Sequence, residues 1–273
     1  MMEGGKRTMG IAPQAPPKVS VVTVVYNGAA TIERTILSVL GQGGPDVEYI
    51  IVDGGSTDGT LDIVRKYENS LAYWVSEKDQ GIYDAMNKGI ALCTGEWVGL
   101  INADDAYAPM GVQKALEAVE GKGGVNIVHG DILLVYPNGS GKVKHAKRSY
   151  FLLKYWEMVL NHPSFFVRRE YYRDHPYKPE FRVSGDHHWT LRAWREDPAQ
   201  FLYLPEVIAH FSAGGASMSG SLKRSLEEGD RINKDLGFSC PERWLGKAVR
   251  TVLYMPAMAK LWFNQLVAPL RVK

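Results

Sequence analysis

The sequence has only two cysteines, Cys93 and Cys240. That excludes a disulfide framework and any paired zinc knuckle, and it suits a reducing compartment. An excess of charge of one sign is also lacking: 32 Lys and Arg stand against 30 Asp and Glu, a net charge of +2. No whole-protein basic field exists for a nucleic acid to meet, so none is expected as a partner. No stretch of about 18 uncharged apolar residues occurs, and no membrane-crossing helix is expected. Residues 1–18 contain no apolar signal core, so no secretory leader is expected. No Gly-x-Gly-x-x-Gly follows a strand, and Gly54-Gly55-Ser56 does not supply one, which removes a dinucleotide-dependent dehydrogenase. The remaining composition is that of an ordinary globular chain of 273 residues, 45% apolar and 23% charged. A chain of this size buries roughly 70–75% of its unfolded surface.

Strands and helices alternate along the first half. Residues 1–17 hold Gly4, Gly5, Gly10, Pro13, Pro16 and Pro17 with little apolar content; they are expected to be a flexible tail, with order beginning at Lys18. Residues 19–25 are a β-branched run suited to a buried strand, broken by Tyr26-Asn27-Gly28. Residues 31–40 carry Ile32, Ile36, Leu37, Val39 and Leu40 at helical spacing, with Thr31 as the expected N-cap. The pattern repeats as a strand over 47–52, a helix over 60–67, a strand over 71–75, a helix over 82–92 and a strand over 97–101. Such alternation predicts βαβ units and a Rossmann-like, mostly parallel α/β sheet with flanking helices, whose ligands sit outside the carboxyl ends of the strands. Polar residues fall at those ends: Tyr26 and Asn27, then Asp53, then Asp79, then Asp104 and Asp105. A single acid after a strand is usually a turn or cap residue. Four successive polar or acidic strand ends would converge at one edge, and converging carboxylates repel unless a cation lies between them.

From about Asn126 the chain changes character. Residues 125–128 and 131–135 read as strands, and Pro137-Asn138-Gly139 is a hairpin turn signal. Lys142, Lys144, His145, Lys147 and Arg148 then form a basic strand or loop. It is either a solvated face or a surface for an anionic acceptor or lipid headgroup. Residues 150–200 read as helices and connecting loops. The segment 243–273 has no acidic residue. On a helical wheel Leu245, Ala248, Val249, Val252, Met255, Ala259, Trp262, Phe263, Leu266 and Val267 share one broad face, with Lys247, Arg250, Thr251 and Asn264 opposite, and Pro256 is expected to kink or split the helix. A basic amphipathic helix with Trp at its margin suits an anionic membrane surface. A terminal helix docked on its own domain or on a partner subunit is the other reading.

Four segments, in order and at characteristic spacing, carry a resemblance. They are Val21-Val22-Thr23-Val24-Val25-Tyr26-Asn27; Ile51-Val52-Asp53-Gly54-Gly55-Ser56-Thr57-Asp58-Gly59-Thr60; Ser76-Glu77-Lys78-Asp79-Gln80-Gly81-Ile82-Tyr83-Asp84-Ala85-Met86-Asn87-Lys88-Gly89; and Gly95-Glu96-Trp97-Val98 running to Asn102-Ala103-Asp104-Asp105. The chain resembles the inverting family 2 glycosyltransferases of the GT-A fold, and among them the bacterial enzymes that build colanic acid, O-antigen and capsule polysaccharides. The resemblance covers roughly residues 19–110. It continues more weakly through His162-Pro163-Ser164-Phe165-Phe166, Ser184-Gly185-Asp186 and 211–217.

The resemblance implies a metal-dependent enzyme that moves one sugar from a nucleotide-diphosphate sugar, UDP by default, to a lipid-linked or polysaccharide acceptor at the inner face of the cytoplasmic membrane. It divides the chain into a nucleotide-sugar half (18–125), an acceptor half with the catalytic base (126–242) and the 243–273 helix. It implies Mn²⁺ or Mg²⁺ on Asp105, with Asp104 on the ribose or the metal's water shell. Asp53 and Asp79 read the base or ribose, and Thr23, Tyr26 and Asn27 line the base pocket. Lys88 either balances phosphate charge or is a solvated helix lysine. Asp186 is the candidate base, with a helix N-cap as the alternative. His162 is either an acceptor contact or a structural histidine, and His210 is a candidate third metal ligand. His187 and His188 diverge by about 100° on a helix and are not expected to ligate together. Residues 212–221 are either a lid or a plain connection. The Gln-x-x-Arg-Trp motif of processive synthases is absent, so one sugar per cycle is expected. A sugar nucleotidyltransferase would need a Gly-rich phosphate loop with a basic residue after the first strand, which Val25-Tyr26-Asn27-Gly28 does not supply. A catalytically inactive nucleotide-binding scaffold is the remaining alternative.

Overall fold

A computed structural model of the chain describes residues 1–13, 15–43, 46–214 and 222–267; for 222–225 and 256–267 it describes the backbone alone. The first half runs β1 (Met2–Gly4), β2 (Val19–Val25), α1 (Ile32–Leu40), β3 (Val47–Asp53), α2 (Thr60–Lys66), β4 (Tyr73–Ser76), α3 (Ile82–Leu92), β5 (Trp97–Asn102), β6 (Ala106–Tyr107) and α4 (Gly111–Val119). The second half runs β7 (Ile127–Val135), β8 (Gly141–Lys144), α5 (Tyr150–Tyr155), β9 (Phe166–Arg168), α6 (Arg169–Asp174), α7 (Gly185–Glu196), β10 (Phe201–Ser212), α8 (Leu222–Asp235) and α9 (Cys240–Val267).

All these strands join one sheet in the order β1-β4-β3-β2-β5-β9-β7-β10-β6, with β8 paired to the C-terminal half of β7. The centre, β4-β3-β2-β5, is parallel, and so is the β7–β10 pair. The short strand β9 is antiparallel to both β5 and β7, which points β7 and β10 the same way as the central strands. Six carboxyl ends therefore share one edge. The sheet is covered on both faces, which is why β2 is buried at all seven positions and carries five valines, with Ser20 and Thr23 hydrogen-bonded to Glu48 and Tyr49. Val22, Val24, Ile50, Val52, Val98 and Leu100 pack in one layer with Met86 and Ile90 of α3 and with Trp189 and Leu191 of α7. Val21, Val25, Ile51 and Ile101 pack in the other with Ile32, Ile36 and Val39 of α1 and with Val112 and Ala115 of α4.

Several expectations are corrected. The amino-terminal residues are not a free tail: β1 adds to the edge of the sheet against β4, and Arg7 donates to Leu92 O (2.8 Å) and pairs with the carboxylate of Glu48. Glu48 is 7% exposed and also accepts from Ser20 Oγ, Thr94 N and Thr94 Oγ1. A carboxylate so buried requires full pairing, and Arg7 supplies the countercharge. Thr31 sits at the N-cap position of α1 but makes no capping hydrogen bond. The two strands expected over 125–135 are one, β7. Pro256 does not split α9, which runs through it. Nor is Arg250 on a solvent face: it is fully buried and donates to the carbonyls of Trp156 (3.0 Å) and Lys154 (3.4 Å). The end of the 243–273 segment, 268–273, lies outside the described residues.

Candidate active site

The expected cluster of strand ends is present, and most of its polar groups are used to build its own loops. Asp53, at the end of β3, is 1% exposed. Its Oδ2 accepts from Gly55 N (3.1 Å), Ser56 N (3.0 Å) and Ser76 Oγ (2.6 Å), and Oδ1 accepts from Ser56 Oγ. The carboxylate expected to read a base instead holds the 54–56 turn. Thr23 is fully buried and shares a 2.9 Å hydrogen bond with the Tyr49 hydroxyl, so it belongs to the core and not to a pocket wall. Asn27, at φ +51°, ties the end of β2 to the end of β3: its N–H donates to Ser56 Oγ (2.7 Å) and its Oδ1 accepts from Thr57 N (2.9 Å). Asp58 accepts from Ala29 N and from Thr60, as a turn residue does. Lys88 is committed to Glu77 (2.8 Å) and Asp84 (3.5 Å), which raise its pKa, so it is not a spare cation for phosphate.

Two side chains beyond the ends of β2 and β4 remain open. Tyr26 is 66% exposed. Asp79 accepts from Gly81 N (2.8 Å) through Oδ1, and its Oδ2 lies 2.4 Å from where a Cβ on Gly54 would stand. Only a glycine at 54 leaves room for this carboxylate, which also places Asp79 beside Tyr26 Cβ.

At the end of β5 the two adjacent acids face different ways. Asp104 is half-exposed, and among the described residues its carboxylate has no hydrogen-bond partner. Asp105 is 1% exposed; its Oδ1 accepts from Ser212 N (2.9 Å), while Oδ2 is buried without a partner. Burial first, and then the Asp104 charge, push Asp105 up to about 8. Asp104 is thus the open carboxylate and Asp105 the enclosed one. Asn102 Oδ1 is likewise buried and unpartnered. Arg34 of α1 and Ser212 at the end of β10 both donate to the Asp104 carbonyl, Arg34 reaches Ser212 Oγ (2.7 Å), and Thr35 Oγ1 donates to Asp105 O (2.6 Å). His210 pairs with Ala106 across the β10–β6 ladder, and burial and the Arg34 charge lower its pKa. Among the described residues no three His, Cys, Asp or Glu side chains come together, so His210 does not complete a metal cage. The oxygen donors do fit a hard divalent cation that takes its other ligands from a substrate: two orphaned buried oxygens lie behind one open carboxylate.

Asp186 opens α7. Its Oδ1 accepts from His187 N (2.8 Å) and from the Tyr83 hydroxyl (3.1 Å), which also donates to Val183 O (2.7 Å). A Cβ on Gly185 would lie 2.6 Å from the Tyr83 ring, so the glycine is what admits Tyr83 to the start of α7. Asp79 and Tyr83 both sit at the amino end of α3, which links Asp186 to the nucleotide-side cluster. His162 is buried, and its Nε2 shares a 2.7 Å bond with the Tyr177 hydroxyl; burial lowers its pKa against the pull of Asp186. His187 bonds to Leu153 O and His188 to Asp235 (2.8 Å), in divergent directions as expected. Residues 215–221 of the candidate lid lie outside the described residues. Sequence reading missed Arg34, Ser212 and Tyr83. Tyr83 lay inside a quoted motif with no role attached, and Arg34 showed only as a charged residue beside Glu33 on an amphipathic helix.

The family model for glycosyl transferase family 2 matches residues 20–176. The chain belongs to glycosyltransferase family 2. An uncharacterized glycosyltransferase of Mycobacterium tuberculosis is 34% identical over 65% of this chain and 69% of its own. A PGL/p-HBAD biosynthesis glycosyltransferase of Mycobacterium bovis is 30% identical over 74% of this chain and 79% of its own. Among solved structures, S. aureus TarS 1-349 in complex with UDP-GlcNAc superposes with a TM-score of 0.65 at 20% identity, over 84% of this chain and 69% of that one. The mannosyltransferase PcManGT of Pyrobaculum calidifontis, in complex with GDP-Man and Mn²⁺, gives 0.59 at 20% identity, over 94% and 81%. The family 2 chain is thus a glycosyltransferase with the GT-A fold.

Proposed function

We propose that this glycosyltransferase moves one sugar per cycle, with inversion, from a nucleotide-diphosphate sugar to a hydroxyl of a lipid-linked or polysaccharide acceptor, using Mn²⁺ or Mg²⁺. The observation that carries the reading is the pairing of an open carboxylate, Asp104, with the orphaned oxygens of Asn102 and Asp105 at the one strand edge where Tyr26 and Asp79 are also open. Tyr26 and Asp79 flank the base and ribose of the donor. Asp104, backed by Asn102 and Asp105, would hold the cation. When bound, the cation offsets diphosphate charge and stabilises the departing nucleotide.

Asp186 is the base. With Oδ1 held by Tyr83 and by the His187 amide, Oδ2, which has no hydrogen-bond partner among the described residues, takes the acceptor proton. The acceptor oxygen then forms its bond to the anomeric carbon as the bond from that carbon to the diphosphate oxygen breaks, and the nucleotide diphosphate leaves with both electrons. One base suffices, because a diphosphate needs no general acid to depart. UDP is the default carrier, and GDP and dTDP are tested beside it. The acceptor side faces the inner leaflet of the cytoplasmic membrane, with the 243–273 segment in contact. Neighbours that bind UDP-GlcNAc and GDP-Man support the donor class, and a Mn²⁺ complex supports the cation.

The test is thermal stabilisation against a panel of nucleotide-sugars with and without Mn²⁺, followed by donor turnover. A cation-dependent rise with one donor is expected, roughly 2.7 kcal/mol at a hundredfold excess over Kd. Stabilisation without turnover by the wild type, with every acceptor class supplied, would identify a binding scaffold and overturn the enzymatic part.

A further inference from the structure

Taking as its premise the membrane contact proposed above, we infer that the bilayer-facing surface is composite: the 142–151 segment supplies the charge, α9 supplies the apolar contact, and the occupant is an anionic lipid bilayer. Among the described side chains, the cations of the helix are turned to the protein. Arg243 donates to Asp230 through Nε (2.9 Å) and Nη2 (2.8 Å), Lys247 pairs with the same carboxylate (3.3 Å), and Arg250 is buried against backbone carbonyls. Three cations expected to meet lipid headgroups are thus turned to the protein. The opposite side of the helix is apolar and uncovered: Trp244, Leu245, Val252 and Met255 are 73%, 45%, 62% and 58% exposed. At 100° per residue these four and Ala248 fall within an arc of about 100°, facing away from Arg250.

Free positive charge lies instead on the β8 edge and the segment after it. Lys142, Lys147 and Arg148 are exposed and Lys144 is half-exposed, and among the described residues none of the four is paired with a carboxylate. Val143, Tyr150 and Phe151 beside them are 39%, 40% and 51% exposed. The two elements are joined through α5. Lys147 lies over the Trp156 ring, whose carbonyl takes Arg250, and Phe151 packs edge-on to Tyr155 at 5.1 Å. A Cβ on Gly246 of α9 would in turn lie 3.5 Å from the Tyr155 ring.

Cations flanked by exposed aromatic and aliphatic side chains match an anionic interface, where headgroups take the charge and the acyl boundary takes the apolar groups. A soluble polyanion would leave the apolar arc in water. A protein seated on that arc alone would leave four cations without partners. The surface also lies near the site: Leu134 pairs with Lys142 on one side and with Phe211, next to Ser212, on the other. Two strand spacings put Lys142 about 10 Å from that position. A membrane-held acceptor would therefore reach the carboxylate pair without leaving the interface.

Co-sedimentation of the full chain with phosphatidylcholine vesicles, with and without 30 mol% phosphatidylglycerol, tests this. Binding is expected only with the anionic lipid and is expected to fall at high salt. Lys142→Glu with Lys144→Glu should weaken it at least tenfold with an unchanged melting temperature, since both side chains project from an edge strand. Val252→Ser with Met255→Ser should weaken it comparably. Binding kept by the β8 pair but lost by the α9 pair would overturn the composite surface and leave α9 alone. Binding kept by the α9 pair would point to a charge-only polyanion site. Failure of the wild type to bind anionic vesicles would overturn the membrane contact itself.

Discussion

The nucleotide half and the C-terminal half treat buried polar atoms differently. In residues 1–125 two of the three buried carboxylates, Glu48 and Asp53, are bonded at both oxygens, and the third is Asp105. Among the described residues the orphaned side-chain atoms there are Asn102 Oδ1 and Asp105 Oδ2, at the end of β5, and the Tyr107 hydroxyl, which lies against Gly99 within the strand. From 126 onward, among the described residues, orphans are spread from β7 to α9: both nitrogens of His129, Trp156 Nε1, Asn161 Oδ1, Thr190 Oγ1, Nε and Nη2 of Arg192, Glu228 Oε2, both polar atoms of Asn233 and Arg250 Nη1. Leaving such an atom without a partner costs about 1–3 kcal/mol. Where satisfaction is nearly complete, a cluster of exceptions therefore marks a place meant for something else. Where exceptions are diffuse, they mark looser packing and identify nothing.

The largest effects should come from the open acids. Asp186→Asn is expected to reduce turnover by about 10²–10⁴, the usual worth of a general base, with nucleotide affinity preserved. Asp104→Asn should instead remove the Mn²⁺-dependent part of the thermal shift. If Asp186→Asn lost nucleotide binding and Asp104→Asn left the cation response intact, the division between the two halves would be wrong. Next in size is a contrast within the nucleotide half. Asp53→Asn turns one acceptor oxygen into a donor facing the Ser56 and Ser76 donors, and should cost on the order of 2–4 kcal/mol in denaturant unfolding. Asp79→Asn should leave stability within about 0.5 kcal/mol and weaken donor binding instead. Equal destabilisation by both would erase the distinction between loop-building and open carboxylates.

Much of the nucleotide half was legible. The helix expected over 82–92 is α3 to the residue, and β2, β3 and β5 lie on their β-branched runs, because period and burial on both faces leave little choice. Orientation was less legible. Asp53 and Asp79, or Asp104 and Asp105, are equivalent as letters, and turn geometry decides which carboxylate opens. Gly54 makes room for Asp79, and Ser212, a hundred residues downstream, turns Asp105 inward. The three-residue β1 has no period to read. Its trace in the sequence was indirect: Glu48 within an apolar strand needed a cation, and Arg7 is that cation. Arg250 was placed on the wrong face because a lone arginine on a wheel reads as solvated, whereas the carbonyls of Lys154 and Trp156 that bury it come from a distant segment.

A smaller effect links the halves. Tyr83, in the nucleotide half, is a positioning residue for Asp186. Tyr83→Phe removes the hydroxyl that donates to the Asp186 carboxylate and to Val183 O, so the carboxylate loses one of the two groups that orient its Oδ1. The value of kcat should fall a few-fold, with KM for the donor unchanged. An unchanged kcat, or a KM that rises as kcat falls, would show that the 3.1 Å contact is packing alone.

The smallest effect probes the diffuse orphans. His129 is fully buried among Phe165, Phe201 and Tyr203, with neither ring nitrogen bonded, and burial pushes its pKa down to about 3. A depressed folded-state value means that the neutral ring's contribution is fully present above the ordinary histidine range. It is lost as pH falls from about 6.5 toward the folded-state value, because the unfolded chain takes up the proton first. His129→Leu deletes both orphans with little change in size. It should gain on the order of 1 kcal/mol at pH 8, which is about 2 °C in Tm for a chain this long. The gap over the wild type should widen as pH falls through 6. A loss of stability at pH 8 would mean that the ring nitrogens are satisfied after all, and the two halves would then differ less than their orphan atoms suggest.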